Sequence, residues 1–413
     1  MSSREMQMEG GRVDGRSRVA VAIFASVGHT LTHLLTAFYF VIVLAIEREW
    51  GRSYAELIQL WTFGSLLMGL GALPAGWLAD RWSTRGMMVV MFLGMGASSV
   101  VCGIADTPAL LWLGLTGIGL FASIYHPVGI AWLVDTAVRQ GKALGINGIF
   151  GSIGVAAAGL VAGGLTDLFG WRAAFILPGL FTMALGLGLM ACLKLGLMPS
   201  EPGARKTHGP EARNGDMLRG FLILTVGMVC GGLIWHSTQT ALPKFFAERI
   251  YGITGDGVFG IGALVAIVYG VSAFVQVVGG HLADRYPLKP VYILLYAVQI
   301  PLLALAAGMA GLPLVMVAIL MATFGGASLP AENMLLSRFS PQRHRSLAFG
   351  IKYVISFGIA PLALLLVSIV YERSGGFGAL FLILAALAAV VTLSGLLLPQ
   401  PQRTAATQPL PAE

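Results

Sequence analysis

Charged side chains are scarce in this sequence. Asp, Glu, Lys and Arg make up 11% of its 413 residues, whereas a typical soluble domain has about 25%. Hydrophobic residues make up 56%, and the mean hydropathy is +0.81. So little polar surface cannot cover globular domains of this size in water. The composition therefore excludes an ordinary cytosolic enzyme and a disordered chain, and it leaves an integral membrane protein.

Cysteine is also rare, with three residues in the whole chain. Cys102, Cys192 and Cys230 all lie inside apolar runs and lack the spacing of metal ligands, which excludes a secreted disulfide scaffold. The sequence contains no phosphate-binding loop, no His–Glu metal motif and no evident nucleophile–base pair. We therefore expect no enzyme activity, no cofactor, no metal and no ATP-driven pump.

The apolar runs are continuous over about 20 residues or more, which is the length that a helix needs to cross the bilayer. Barrel strands would instead alternate apolar and polar residues. Many of the 55 glycines lie inside these runs, where small residues allow helices to pack closely. We predict an all-α integral membrane protein with twelve transmembrane helices in two pseudo-symmetric six-helix bundles. The bundles span 19–193 and 220–398, with an N-terminal tail at 1–18, a central linker at 194–219 and a C-terminal tail at 399–413.

Most of the 26 Lys and Arg residues fall in alternate loops. Because cytoplasmic loops carry the excess of positive charge, this pattern predicts that both termini, the linker and the tails are cytoplasmic. The net charge of +7 is then a signal of topology, and no nucleic-acid partner is expected. The predicted location is the bacterial inner membrane, as a multi-pass protein in the lipid bilayer.

One short motif occurs twice, once in each half of the chain. The sequence Gly-Trp-Leu-Ala-Asp-Arg at 76–81 returns as Gly-His-Leu-Ala-Asp-Arg at 280–285. Internal repeats of six helices are typical of transporters, which bind their substrate at the interface between the halves.

The repeated motif resembles the loop signature of the major facilitator superfamily of secondary transporters. Ser83 and Pro287 stand where a second glycine is usual in that signature. The resemblance implies the twelve-helix transporter fold, alternating access, and a cytoplasmic gating motif that holds the inner ends of the halves together. The other reading of the motif is an ordinary topogenic charge cluster. The gating residues implied are Gly76, Asp80, Arg81, Arg85, Arg139, Gly280, Asp284, Arg285 and Lys289.

Two weaker resemblances point to export. Tyr125-His126-Pro127 resembles an element of fosmidomycin-resistance-type efflux proteins. The glycine-rich fifth helix resembles an element of drug/proton antiporters, although it lacks that element's proline. These resemblances imply proton-coupled efflux.

Polar residues inside the apolar runs are the candidate cavity residues, because ionisable groups in a membrane usually face a cavity. The first helix carries four of them with the spacing of one helical face, and the seventh repeats part of this pattern. The resemblance implies that helices 1, 4, 7 and 10 line the cavity. Each histidine alone could instead be a hydrogen-bonded packing residue. The predicted substrate and proton cavity comprises His29, Thr32, His33, Thr36, Tyr125, His126, His236, Gln239, Thr240, Glu332, Asn333 and Lys352.

Several roles are open for two charged residues in the second half. Glu332 can carry a proton or pair with an arginine in a closed inner gate. Lys352 can extend towards the cytoplasm, attract an anionic substrate or pair with Glu332. Tyr269 and Gln276 on helix 8 fit the cavity wall, but helix–helix hydrogen bonding is the favoured reading of both.

The sequence therefore predicts a monomeric secondary transporter that moves a small-molecule substrate, coupled to protons. Efflux is the leading hypothesis, and proton-coupled uptake of an organic anion is the alternative. A transporter-shaped sensor or lipid-handling protein without solute turnover is the rival from another class.

Overall fold

The computed structural model describes residues 15–138, 140–198, 214–250, 255, 257–340 and 345–399. These residues form helices joined by short connections. We number the membrane-crossing helices as spans 1 to 12 in chain order. They are Ser17–Trp50, Tyr54–Leu70 with Ala72–Arg81, Thr84–Gly103, Pro108–Thr136, Ala143–Phe169, Trp171–Lys194, Asp216–Arg249, Phe259–Arg285, Leu288–Ala306, Gly311–Arg338, Val354–Ser374 and Gly378–Leu396.

The predicted twelve-helix fold is confirmed. Within the described residues, eleven helices are long and apolar enough to cross a membrane, and the bent pair that forms span 2 makes the twelfth. Residues 400–413 of the C-terminal tail and most of the tail at 1–18 lie outside the described residues, as do 199–213 of the predicted linker.

Spans 2 and 4 are each interrupted near a proline, and the two interrupted regions pack against each other. Span 2 bends by 43° at Gly71, three residues before Pro74. Because the nitrogen of Pro74 carries no proton, it cannot donate a helical hydrogen bond to the carbonyl of Leu70. In span 4, the turn Tyr125–Gly129 around Pro127 is π-helical. The segment Ala72–Arg81 packs on this turn. The local opening that Pro127 predicted is therefore present as a π-turn, a feature that is frequent at functional sites.

The halves are joined along spans 5 and 8, where glycines allow the backbones to touch. A β-carbon on Gly159 would lie 2.4 Å from the carbonyl oxygen of Gly262, and one on Gly262 would lie 2.1 Å from that of Gly159. Any side chain at either position would push the two helices apart. Part of the glycine content of span 5 is thus explained by its packing against the opposite half.

The outer ends of the spans are tied across the halves. The Nζ atom of Lys244 in span 7 donates to both carboxylate oxygens of Glu47 in span 1, at 2.7 and 2.8 Å. The hydroxyl of Tyr54 in span 2 donates to the carbonyl of Thr240 at 2.9 Å. The carboxylate of Asp167 in span 5 accepts the first amide protons of span 8, from Val258 and Phe259, at 3.0 and 2.8 Å. These contacts close the outer end of the interface.

The inner ends carry the predicted gating motif. Asp80, Arg81, Asp284 and Arg285 are exposed. The guanidinium of Arg81 lies 4.1 Å from the ring centre of Trp77, one turn away on the same helix. Lys289 donates to the carbonyls of Leu396, the last residue of span 12, and of Leu398, at 2.8 and 2.6 Å, which caps that helix. Arg139 lies outside the described residues, so the predicted latch between the halves stays a prediction.

Candidate functional site

A cavity of about 410 Å³ lies between the halves and extends into the C-terminal one. Its walls come from the middle and inner parts of spans 1, 5, 7, 8, 9, 10 and 11. Among the described residues, the lining includes none from span 4, which the resemblance had implied would line it. The polar and aromatic lining residues are His29, His33, Ser152, Trp235, His236, Thr238, Tyr269, Ser272, Gln276, Tyr296, Gln299, Glu332, Asn333, Lys352, Ser356 and Phe357.

A buried ion pair lies in the wall of this cavity. The Nζ atom of Lys352 donates to Oε1 of Glu332 and to Oδ1 of Asn333, each at 2.6 Å. The side chains of Lys352 and Glu332 are only 8% and 4% exposed. The helix Arg345–Gly358 positions the lysine, and Pro330 precedes the carboxylate in span 10. The pair leaves the empty cavity wall without net charge at this point.

Three polar atoms of the lining have no hydrogen-bond partner among the described residues. They are the hydroxyls of Thr238 and Tyr269 and the Nε2 amide of Gln299, and all three are buried. Tyr269 also packs edge-on against Trp235, with ring centres 5.5 Å apart. Because an unpaired buried polar group costs free energy, these atoms are suited to bind polar groups of a small molecule between aromatic walls.

The histidines of spans 1 and 7 make equivalent contacts in the two halves. The Nδ1 atom of His29 lies 2.8 Å from the carbonyl oxygen of Asn147 in span 5. The Nε2 atom of His236 lies 2.9 Å from that of Ser356 in span 11. Each imidazole thus donates its proton to the backbone of the helix that lies four spans later, and each lines the cavity.

His29 belongs to a cluster of three imidazoles. Its Nε2 atom lies 3.1 Å from Nε2 of His33. Its ring stacks on Tyr125 with centres 4.7 Å apart and lies edge-on to His126 at 5.4 Å. The hydroxyl of Tyr125 donates to the carbonyl of Ala25 and accepts from the side-chain amide of Asn147, each at 2.8 Å. This network holds His29 in one orientation.

The remaining predicted cavity residues lie elsewhere. The hydroxyls of Thr32 and Thr36 donate to carbonyls of their own helix, at 2.8 Å each, and Thr32 also contacts Met91 in span 3. Gln239 borders a separate, small apolar space beside Pro243, and Thr240 is buried at the outer contact with Tyr54. The spacing i, i+3, i+4, i+7 covers a broad arc of a helix. In span 1, only His29 and His33 therefore reach the cavity, and in span 7 only His236 does.

Tyr125 and His126 stand behind the histidines of span 1 rather than in the cavity wall. The ring of His126 lies 5.5 Å from that of His33 and 4.8 Å from that of Phe357 in span 11. In contrast, Tyr296 and Gln299 of span 9 line the cavity, although sequence reasoning missed them. Their signal was a polar face formed with Tyr292, at spacings of four and three residues in an otherwise apolar helix.

Comparison with known proteins assigns the family. The family model described as Major Facilitator Superfamily matches residues 25–312 and 257–412. The chain belongs to this superfamily. This superfamily consists of membrane transporters rather than enzymes, and the repeated loop motif predicted the membership. The fold also matches the crystal structure of a bacterial homologue of the human lysosomal transporter Spinster, inward-facing and occupied. The TM-score is 0.73 at 16% identity, covering 94% of this chain and 95% of the other.

The names of two similar proteins refer to different small organic compounds. The chain is 25% identical over 242 residues to the 4-hydroxybenzoate transporter PcaK of Pseudomonas putida, covering 57% of this chain and 51% of that protein. It is 31% identical over 213 residues to the puromycin resistance protein Pur8 of Streptomyces alboniger, covering 50% and 37%. The chain thus spans about half the length, or less, of these two relatives.

Proposed function

We propose that this protein carries a small aromatic carboxylate across the bacterial inner membrane together with a proton. The observation that carries this proposal is the Lys352–Glu332 pair in the cavity wall. A substrate carboxylate competes with Glu332 for the Nζ atom of Lys352. A proton on Glu332 releases the lysine, so the proton and the anion favour each other's binding.

The rest of the cavity is suited to such a solute. Trp235 and Tyr296 supply aromatic walls, and the unpaired groups of Tyr269 and Gln299 can bind a ring hydroxyl. The cavity volume of about 410 Å³ lies within the usual range for small-molecule sites. The similarity to PcaK makes 4-hydroxybenzoate the first solute to test.

Proton-coupled efflux is the second candidate, and it was the leading hypothesis from the sequence. The similarity to Pur8 supports it, as does the neutral ion pair, which also suits an uncharged or cationic drug. In that case the drug and the proton compete for Glu332. The two candidates therefore differ in how the proton affects solute binding. If the two bind cooperatively the result is symport, and if they compete the result is antiport.

The experiment uses purified protein in sealed proteoliposomes. With an acidic exterior, we expect labelled 4-hydroxybenzoate to accumulate and the lumen to acidify with it. Lys352→Met should abolish both signals. Glu332→Gln should retain exchange of labelled for unlabelled solute but lose accumulation. Lys194→Met is the matched control, because Lys194 is exposed at the end of span 6.

Three other outcomes would contradict the proposal. Puromycin moving against an imposed proton gradient, with no carboxylate transported, would favour efflux. Solute binding to the protein without flux would favour the sensor. Undiminished accumulation of solute by the Lys352→Met variant would show that transport does not require the ion pair.

A further inference from the structure

We infer that His29, His33 and His126 form a binding site for a divalent transition-metal ion of the zinc class. The sequence predicted no metal site, since the three residues lie on two spans without a ligand motif. In the structure, one nitrogen from each ring lies within 4.8 Å of the other two. The ring centres form a nearly equilateral triangle with sides of 4.9, 5.4 and 5.5 Å.

The separation of the nitrogens is close to what a single ion requires. Two imidazoles on one tetrahedral zinc ion, with Zn–N bonds of about 2.0–2.1 Å, have nitrogens about 3.3 Å apart. The Nε2 atoms of His29 and His33 are 3.1 Å apart. The nitrogen of His126 has to approach by up to about 1.5 Å, since the three nitrogens lie within 4.8 Å of one another. The π-turn that carries this residue provides a backbone that can shift locally.

The surroundings of His29 are those of a metal ligand. Imidazoles that bind metals donate their other ring proton to a carbonyl or carboxylate, which fixes the tautomer. The contact from Nδ1 of His29 to the carbonyl of Asn147 does this, and it directs the lone pair of Nε2 towards His33. Stacking on Tyr125 fixes the ring plane. A metal ion would replace the hydrogen bond between the two histidines, and the proton of His33 would move to its Nδ1.

The glycines of span 5 make space for this cluster. A β-carbon on Gly151 would lie 2.5–2.8 Å from the ring atoms of His29, and one on Gly154 would lie 3.0 Å from Cβ of His33. Three uncharged imidazoles give an ion three ligands, which leaves a fourth position open. His29 and His33 line the cavity, so that position faces the space in which a solute carboxylate oxygen or water can bind. The metal site does not depend on which solute is carried.

The experiment measures metal binding by the full-length, untagged protein in detergent after treatment with a chelator. Titration with Zn²⁺ should show one site per chain. Substitution with Co²⁺ should give the strong visible absorption of a four-coordinate ion, and X-ray absorption should count three imidazole nitrogens. His126→Gln and His33→Gln should each weaken Zn²⁺ binding by about a hundredfold or more, beyond the 10–100-fold typical of losing an outer-shell partner.

Two variants serve as controls. His236→Gln changes a cavity histidine of the other half, and His281→Gln changes an exposed histidine of span 8. Both should bind Zn²⁺ as the unaltered protein does. The inference fails if the unaltered protein binds no Zn²⁺, if Co²⁺ remains six-coordinate, or if His236→Gln weakens binding as much as His126→Gln. The spectroscopy of the unaltered protein tests the site even if one variant does not fold.

Discussion

The ion pair at the outer end of the interface should set the balance between inward-facing and outward-facing states. Lys244 and Glu47 belong to opposite halves, and their side chains are 14% and 24% exposed. Their contact has to break when the outer end opens. Lys244→Met removes it and should shift the protein towards the outward-facing state.

The magnitude follows from the burial of the pair. Removing one partner of a fully buried pair costs about 3–5 kcal/mol, whereas a surface pair contributes about 0–1 kcal/mol. For this partly buried pair, which has two short contacts, we expect about 2 kcal/mol, since its burial lies between these limits. That is a shift of about 30-fold in the equilibrium, because 1.4 kcal/mol corresponds to a factor of ten. An outward-facing state at about 1% would rise to about a quarter of the molecules.

The assay is a distance measurement between two spin labels at the outer surface. The labels are attached to Arg52→Cys in the first half and Arg373→Cys in the second, after the native cysteines are replaced by serine. The labelled protein that keeps Lys244 should give one short distance between the labels, and Lys244→Met should add a longer distance. The matched control is Arg172→Met, because Arg172 bonds to Glu49 at 2.7 Å within the first half alone. The reasoning is refuted if Lys244→Met leaves the distances unchanged, or if the control shifts them equally.

Two further predictions concern the interface and the inner loop. Gly159→Ala should lower the free energy of unfolding by about 1–3 kcal/mol, since its β-carbon overpacks the backbone of Gly262. A lower Tm in detergent checks this. Gly145→Ala, with nothing within 4 Å of its β-carbon, should not lower the Tm, since alanine favours a helix more than glycine does. Asp80→Asn should leave membrane insertion intact but slow transport in vesicles. If the unaltered protein and Asp80→Asn transport at equal rates at equal protein levels, the motif only determines topology.

The fold could be predicted because membrane burial imposes it through composition. A run of about 20 apolar residues has to be a helix when no water is present to satisfy its backbone. Positive charge in alternate loops gives the orientation, and the duplicated motif at Asp80 and Asp284 gives the two halves. The break in span 2 was not predicted, although Pro74 was visible, because the bend also depends on the close approach of Gly71 to Ser123 in span 4.

The candidate site was only partly predictable, because helical spacing fixes neighbours and not directions. His29 and Thr32 are one turn apart, yet one lines the cavity and the other contacts Met91. Which side of span 1 faces the cavity depends on how span 5 packs, and its glycines are the residues that admit the imidazole of His29. Partners distant in sequence, such as Asn147 for His29, could not be deduced from either helix alone.

A net charge is costly inside the closing interface, and this cost can account for the proposed coupling. The empty cavity is neutral at the Lys352–Glu332 pair. A proton alone leaves Lys352 uncompensated, an anion alone leaves Glu332 uncompensated, and both together restore neutrality. Only the empty and the fully loaded protein can then change state readily, which is the requirement for symport.

The charge argument predicts the behaviour of a double variant. Glu332→Gln removes a negative charge and leaves Lys352 unpaired, and Lys352→Met removes a positive charge and leaves Glu332 unpaired. Each single variant should therefore resist closing its inner end when empty. The double variant is neutral again. In the Lys244→Met background with the outer spin labels described above, each single variant should therefore lose the longer distance, and the double variant should regain it, although it binds no carboxylate. If the double variant behaves like the more strongly shifted single variant, the loss of specific contacts governs the change of state, and net charge does not.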